Sequence, residues 1–405
     1  VIRIPDEILS RTEILVGSRD GVSNAPAPVF DAARMEFLAD LSRTLLARAE
    51  TRSLPDVVSF AYWCRRANLT QLAAKFNARG EVRMGLGLSF HVCPSNVPVN
   101  FAFSLAFGLL AGNTCVLRLP SRASATAEVL VEAIAELLND ARHAALADCI
   151  LLTRFERDDV LNRFWLSVAD ARLVWGGDQT VEHMRALPSR PRSREVAFSD
   201  RYSLCVMEPR AILALDDEAL RGLCHQLFND LYLMDQAACS SPQLVAWIGA
   251  ENVVDAAKTR LWPVFVRHVA QRYTPAPVNV MDKYVQACRH AFDNDQVVAI
   301  RQHANLLYRV ELSAVAANQD ECRGYFGTIH EVTLASVAQL APIVNERYQT
   351  LTYFGIDRTQ LQDFVVSQRL RGIDRVVPIG RALDMNIVWD GYDVVATLSR
   401  IVDIQ

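Results

Sequence analysis

Between residues 82 and 177 the chain switches repeatedly between two kinds of apolar pattern, and this alternation limits the fold more than any other feature. Strand-like 82-VRMGLGLSFHV-92 gives way to a helix-like run over 98–111, then to 114-TCVLRLP-120, helical 124-SATAEVLVEAIAELL-138, 149-CILLTR-154, helical 158-DDVLNRFWLSV-168 and 171-ARLVWGG-177. Short strand-like runs separated by helices long enough to cross a sheet predict parallel strands, because a tight hairpin cannot return the chain to the same end of a sheet. A doubly wound sheet follows, and such sheets take ligands at the carboxyl ends of their strands.

Helices are predicted ahead of this region. Phe37, Leu38, Leu41, Leu45 and Leu46 recur at helical spacing, as do the apolar residues of 55-PDVVSFAYWCRRANLTQLAAKF-76. A second alternating unit begins near 202-YSLCVM-207 and continues through a long helix at about 216–233, the strand 243-QLVAWIG-249 and further helices to about 375. With 405 residues the chain exceeds one ordinary core. The expected division is 1–204, N-terminal helices plus the first alternating domain; 205–375, a second alternating domain; and 376–405, a tail that bridges domains or serves oligomerisation.

Composition removes several classes of function. Hydrophobic residues at 51% against 22% charged describe a folding chain rather than a disordered one. A net charge of −4 with scattered arginines leaves no footprint for nucleic acid. The most apolar segment, 97-VPVNFAFSLAFGLLAG-112, is interrupted by Pro98, Asn100 and Ser104 and falls short of the roughly 20 residues that span a bilayer, so it reads as a buried helix. No secretory signal pattern opens the chain, and a cytoplasmic location is expected. Nine cysteines, odd in number and without a CxxC pair, predict free thiols, no disulfide framework and no metal site.

One of those thiols stands apart. In 235-DQAACSSPQ-243, Cys239 follows a helical run and lies among small residues before a Ser-Ser-Pro turn, with little bulk to shield its sulfur. Unpaired cysteines are usually buried fillers. A cysteine that attacks a carbonyl also needs donors aimed at the developing oxyanion, and its own N–H plus a side-chain amide suffice. Asn96 offers such an amide just after a predicted strand, between Pro94 and Pro98, although asparagine is common in turns for local reasons. His91 and His225 read as structural. Glu195, Asp200 and Asp235 are proton-transfer candidates without a supporting pattern.

The block 90-FHVCPSNVPVNFAFSLAFGLLAGNTCVLRLPSRAS-124 resembles the cofactor segment of the aldehyde dehydrogenase superfamily, in which Pro-x-Asn-x-Pro is followed by a helix, Ala-Gly-Asn-Thr and a strand ending in a basic residue. Within that superfamily this block, QAACSSPQLV, QTLTYFG and GIDRVVPIGRALD…WDGYD are similar to the LuxC-type acyl-CoA and acyl-protein thioester reductases, over about residues 80 to 400. The resemblance implies an aldehyde dehydrogenase-like α/β fold, with two doubly wound domains and an active-site cleft between them, 1–204 holding the dinucleotide-binding domain and 205–375 the catalytic domain with the nucleophilic cysteine. It makes Cys239 the nucleophile and Asn96 the oxyanion donor. It also assigns Pro94, Arg118, Ser121, Gly176, Gly177, Thr180 and Phe326 to a nicotinamide dinucleotide. Arg118 and Ser121 stand where NAD-preferring relatives pair a basic residue with an acid, so NADPH/NADP is the expected cofactor, with Arg122 as the alternative donor.

The implied substrate is a fatty acyl thioester on coenzyme A or a carrier protein, with an acyl-activating enzyme as partner. A homo-oligomer is expected. Two departures matter: 197-AFSDRYS-203 lacks the glutamate that activates water in acid-forming aldehyde dehydrogenases, and 324-GYFGTI-329 has Gly324 where a glutamate holds the nicotinamide ribose. The competing readings are a thioester acyltransferase or hydrolase using the same cysteine without hydride transfer, and a non-catalytic scaffold.

Overall fold

The computed structural model describes all 405 residues, Val1–Gln405, and their contacts divide into two compact units: Val1–Asp200 with Met385–Gln405, and Arg201–Asp384. The divisions fall at 200/201 and 384/385, where the sequence reading had placed 204 and 376. The strand Tyr202–Met207 and the strand Arg375–Pro378 both pair within the second sheet, which draws the boundaries outward from them.

In the first unit, α1 (Asp6–Ser10) and β1 (Glu13–Val16) precede helices α2 (Ala32–Ala47), α3 (Pro55–Trp63) and α4 (Arg66–Asn77) and the short β2 (Arg83–Gly85). The alternating region then forms β3 (Leu88–Val92), α5 (Asn100–Leu110), β4 (Thr114–Leu119), α6 (Ala125–Leu138), β5 (Ile150–Arg154), α7 (Asp159–Val168), β6 (Ala171–Trp175), α8 (Asp178–Ala186) and β7 (Arg194–Phe198). The sheet order is β1-β5-β4-β3-β6-β7, parallel except for β1, which runs against β5. Strands β1 and β7 were not foreseen, because each is too short and too polar at one end to show a pattern.

Every residue of β3 is buried, as a central parallel strand covered on both faces requires. Helix α5 is buried from Phe101 to Leu110, so the apolar 97–112 run is a core helix, and no helix of the chain is long and apolar enough to cross a membrane. Phe90 and Trp165 stack at 6.3 Å between ring centroids in this core, each fully buried and worth about 1.5–3 kcal/mol of apolar transfer. The strand order reverses between β3, whose successors run toward β5, and β6, which lies on its other side. The turn carrying Asn96 follows β3 and therefore sits at this switch point.

The second unit contains β8 (Tyr202–Met207), α9 (Pro209–Leu213), α10 (Asp217–Tyr232), β9 (Leu244–Ile248), α11 (Glu251–Ala270), α12 (Pro277–Asp293), β10 (Val297–His303), β11 (Leu307–Leu312), β12 (Thr328–Leu334), β13 (Tyr348–Phe354), α13 (Arg358–Ser367) and β14 (Arg375–Pro378). Its order is β10-β11-β12-β9-β8-β13-β14, parallel except that β10 runs against β11, and β10 to β13 stand where the sequence pattern suggests only further helices before 375. Helices α10 and α11 cover one face. A buried carboxylate survives there because Glu331 accepts from Trp247 Nε1 (2.9 Å), Trp262 Nε1 (3.0 Å) and an Arg309 guanidinium (2.7 Å).

The chain then returns to the first unit. Its WDGYD segment is a two-residue hairpin, β15 (Val388–Trp389) and β16 (Tyr392–Asp393), with Asp390 and Gly391 at φ +54° and +77°, the left-handed pair that such a tight turn needs. Helix α14 (Val394–Thr397) leads to β17 (Ser399–Ile401), which pairs with β2. The Asn113 amide joins these pieces, accepting from Leu86 and Gly87 N–H and donating to the Leu398 carbonyl. The Ala-Gly-Asn-Thr motif is thus structural at its asparagine.

Candidate active site

Cys239 lies in the loop between α10 and β9, hence at the amino end of its strand and not at the carboxyl end that the general rule for such sheets suggests. Its side chain is half-buried. Its carbonyl accepts from Ser203 Oγ at 2.7 Å, and that oxygen in turn accepts from Thr350 N–H at 3.1 Å, so the loop is tied to two neighbouring strands. Six of the other cysteines, 64, 93, 115, 149, 205 and 224, are buried. Burial pushes their thiols up, to about 12 for Cys115, Cys205 and Cys224, which makes them inert fillers. Cys322 is half-buried with its thiol also raised by burial, and Cys288 is exposed on α12.

The turn holding Phe326 precedes β12, the strand beside β9, so it shares the amino edge with the cysteine loop. Phe326 takes φ +57°, and its N–H donates to the Asp235 carbonyl at 3.1 Å. Asp235 itself accepts from the Tyr273 hydroxyl. These contacts bring the loop of Cys239 and the turn of Phe326, both assigned by the family resemblance, onto one hydrogen-bonded edge of the second unit.

Asn96 belongs to the first unit, exposed in the turn that follows β3 and the half-buried Pro94. Beside this turn, at the carboxyl ends of β3, β4 and β5, is a cavity of about 350 Å³ whose lining includes Ser95, Pro98, Phe101, Arg122, Ser124 and Arg154. Ser124 caps α6, its hydroxyl accepting from Ala127 N–H at 3.2 Å. Two guanidiniums and the start of a 14-residue helix make this a place for an anion, and its chemistry fits a phosphorylated ribose.

Arg118 is turned elsewhere. Its Nε donates to the Phe155 carbonyl at 3.4 Å and its guanidinium lies 5.0 Å over the Phe155 ring, while burial and then neighbouring Arg157 lower its pKa. Ser121 is exposed in the same loop. Arg154, which the sequence reading missed, ends β5 directly opposite Leu119 of β4. The basic end of 149-CILLTR-154 was its signal.

Gly176 and Gly177 form the turn from β6 into α8. A side chain on Gly176 would meet Thr180 at 2.9 Å, and one on Gly177 would meet Asp200 Oδ2 at 3.0 Å. Asp178 N–H donates to Asp200 (3.4 Å) and Asp200 N–H to Asp178 (3.2 Å), so this helix start already faces a carboxylate. A pyrophosphate there meets negative charge, and the arginine cavity is the better anion site of the two.

The remaining candidates are engaged. Glu195 is paired with Arg172 (2.6 Å) and Arg185 (2.7 Å). His91 lies between Ser104 Oγ (2.7 Å) and Ser89 Oγ (2.8 Å), and burial depresses it to about 3, so it is a neutral core residue. No group of three or more His, Cys, Asp or Glu is placed to hold a metal ion.

Comparison with known proteins adds three findings. A family model described as acyl-CoA reductase (LuxC) matches residues 32–403. The long-chain acyl-protein thioester reductase of Aliivibrio fischeri is 28% identical over 164 residues, 40% of this chain and 32% of that protein, and its counterpart in Vibrio harveyi is 28% identical over 165 residues with the same shares. The matched stretch thus spans about a third of these relatives. Among solved structures, an NAD-dependent aldehyde dehydrogenase from Sinorhizobium meliloti superposes with a TM-score of 0.61 at 15% identity, covering 86% of this chain and 76% of that one. Aldehyde dehydrogenase 21 from Physcomitrella patens, in complex with succinate, gives 0.61 at 13% identity, with 91% and 85% covered. The fold is that of an aldehyde dehydrogenase.

Proposed function

The chain belongs to the acyl-CoA reductase (LuxC) family, and from that premise we propose that it reduces a fatty acyl thioester to the aldehyde with NADPH, Cys239 carrying the acyl group between carrier and reduction. The observation that carries this reading is the half-buried Cys239 on a loop bonded to the Phe326 turn, among cysteines that are mostly sealed in the core.

Cys239 Sγ, as thiolate, forms a bond to the thioester carbon. The carbonyl oxygen takes the negative charge and accepts hydrogen bonds from the Cys239 N–H and the Asn96 side-chain amide, the proposed oxyanion donors. Collapse breaks the carbon–sulfur bond to the carrier, whose thiolate leaves and takes up a proton. The nicotinamide, when bound, supplies the hydride that converts the acyl group to aldehyde. Arg122, Arg154 and the start of α6 would hold its phosphorylated ribose, and Phe326 is the residue of the second unit that the family resemblance assigns to the cofactor. Cys239 is released as the aldehyde departs, and the same donors serve both charge-bearing stages because both develop on one oxygen.

The carboxylates named from the sequence are each engaged, which supports reduction over hydrolysis: Asp235, on the cysteine loop itself, accepts from the Tyr273 hydroxyl. Glu195 is held by two arginines, and Asp200 is bonded to the start of α8. An acyltransferase or hydrolase acting on acyl-protein thioesters would leave the arginine cavity without a role, whereas one acting on acyl-CoA could place the carrier's own ribose phosphate there. The test is anaerobic incubation with a panel of acyl-CoA and acyl-protein thioesters and NADPH, following absorbance loss and aldehyde together. Free acid or transferred acyl group without NADPH consumption would replace this reading with a hydrolase or transferase.

A further inference from the structure

The turn that carries Phe326 directs its backbone hydrogens almost entirely to the cysteine loop. Gly324 N–H donates to Gln243 Oε1 (2.8 Å), Phe326 N–H to the Asp235 carbonyl (3.1 Å), and Gly327 and Thr328 N–H both to Gln236 Oε1 (3.1 Å each). Gln236 also donates through Nε2 to the Thr328 carbonyl (2.8 Å) and the Pro242 carbonyl (2.9 Å). Its amide is therefore saturated, two bonds accepted and two donated, in a residue only 1% exposed. A fold that needed only volume there would use an apolar residue, because burying a glutamine immobilises a flexible chain and desolvates its amide.

The backbone points the same way. Asp235 and Gln236 take φ +50° and +61°, and Phe326 takes φ +57°. Three non-glycine residues in a conformation unfavourable for L side chains meet at one place, which requires that the surrounding bonds hold them there. From the other side Lys283 Nζ, buried on α12, donates to the Phe326 carbonyl (2.8 Å) and to the carbonyls of Leu306 (2.8 Å) and Asn305 (3.1 Å).

We propose that Gln236 is a positioning residue: it pins the Phe326 turn to the Cys239 loop so that the two form one rigid body, and it serves the reductive half of the reaction rather than acylation. This rests on the reading of Cys239 as acyl carrier and of Phe326 as part of the cofactor-facing turn. Acylation needs only the sulfur and its oxyanion donors. Reduction also needs the turn to be held in register with the acyl carbon, where a displacement of about 1 Å can cost on the order of a hundredfold.

Gln236→Met keeps the volume and loses all four side-chain bonds; Gln236→Glu keeps the two accepted bonds and sets a carboxylate against two carbonyls. Three measurements separate the outcomes: amide exchange across residues 324–328, acylation of Cys239 by a thioester without cofactor, and single-turnover reduction of the acylated protein by NADPH. For Gln236→Met, exchange at Gly327 and Thr328 should rise about tenfold or more while β4 is unchanged, acylation should stay within about threefold, and reduction should fall at least about tenfold. Gln236→Glu should show the same split at smaller size, and it carries the test should the methionine variant not fold. Unchanged exchange, or equal slowing of acylation and reduction, overturns the proposal. A wild-type protein that no thioester acylates would instead remove the reading of function, with the exchange measurement still deciding whether the clamp exists.

Discussion

The two units present their chemistry at opposite edges of their sheets. In the first, Asn96 and the cavity beside Arg122 and Arg154 follow the carboxyl ends of β3, β4 and β5, where α6 begins and its free N–H groups add positive potential. In the second, Cys239 and Phe326 precede β9 and β12, at the edge where the crossover helices end; α10 stops at Tyr232, seven residues before the sulfur. The first edge carries two guanidiniums beside a helix start, Arg154 being paired with Glu13 (3.3 Å), and on the proposed reading it takes the phosphate. The second has helix ends and no helix start beside the cysteine loop. On the proposed reading this is a division of labour: anion recognition is built from strand ends and helix starts, and the nucleophile from a strained loop held by side-chain amides.

The harshest way to break that division is Cys239→Ala. It should abolish covalent acylation and aldehyde formation while NADPH affinity stays within about twofold, because the sulfur serves chemistry and lies on the other unit from the arginines. Intact-mass spectrometry and calorimetry check both halves, and an acylated alanine variant would move the nucleophile elsewhere. Asn96→Ala comes next, with kcat lowered about 10²- to 10³-fold, the usual consequence of losing one oxyanion donor. A folded Asn96→Ala protein with unchanged turnover would reduce Asn96 to a turn residue between two prolines.

A sharper comparison lies within the first unit. Arg122→Glu should weaken NADPH relative to NADH by about 10- to 100-fold, the range for losing a charge-assisted bond and adding repulsion. Arg118→Glu should shift the same ratio less, since Arg118 already stacks on Phe155 and bonds its carbonyl. Binding of 2′,5′-ADP to the two variants measures the difference without turnover. Equal shifts would return Arg118 to the ribose phosphate.

The same contrast decides what could be read from the sequence. The segment from β3 to β4 was legible because strand, turn, helix and strand are contiguous, and the helix between the strands is apolar nearly throughout. Asn113 was noticed as part of a motif, but its job of joining 86–87 to Leu398 was not, because a contact 285 residues away leaves no local pattern. Arg154 is 36 residues from Arg118 and becomes its neighbour only when β4 and β5 pair. The amino-edge site was half legible: Cys239 and Phe326 were both named, whereas the pairing of 235–243 with 324–328 runs through Gln236 and Gln243, polar residues that a single sequence gives no reason to bury.

The smallest effect tests whether all clamps of the second unit behave alike. Gln236 is neutral at every pH, but the loop 379–384 is held by a carboxylate: Asp230 accepts from Gly380 N–H (2.7 Å) and Ala382 N–H (3.0 Å), while Arg375 donates to the carbonyls of Ala382, Arg381 and Asp384. Burial pushes Asp230 up to about 7; the two N–H bonds and Arg375 pull it down, and Asp384 adds to the rise. Unfolded, the same carboxyl titrates at about 4. Between these values the folded chain keeps a proton that the unfolded chain has released. The contribution of Asp230 to stability is therefore fully present below about pH 4 and is lost as pH rises through about 7. Asp230→Asn does not titrate and turns an NH₂ group toward one of the two backbone donors, at a cost of about 1–3 kcal/mol where the native carboxyl is protonated. The melting temperature of Asp230→Asn should lie below that of the wild type at pH 5 and approach it at pH 8, a closing of the gap by about 2–4 °C for each kcal/mol that the wild type loses. Parallel curves for the two proteins would mean that Asp230 stays ionised in the fold, held by its backbone donors against the effect of burial.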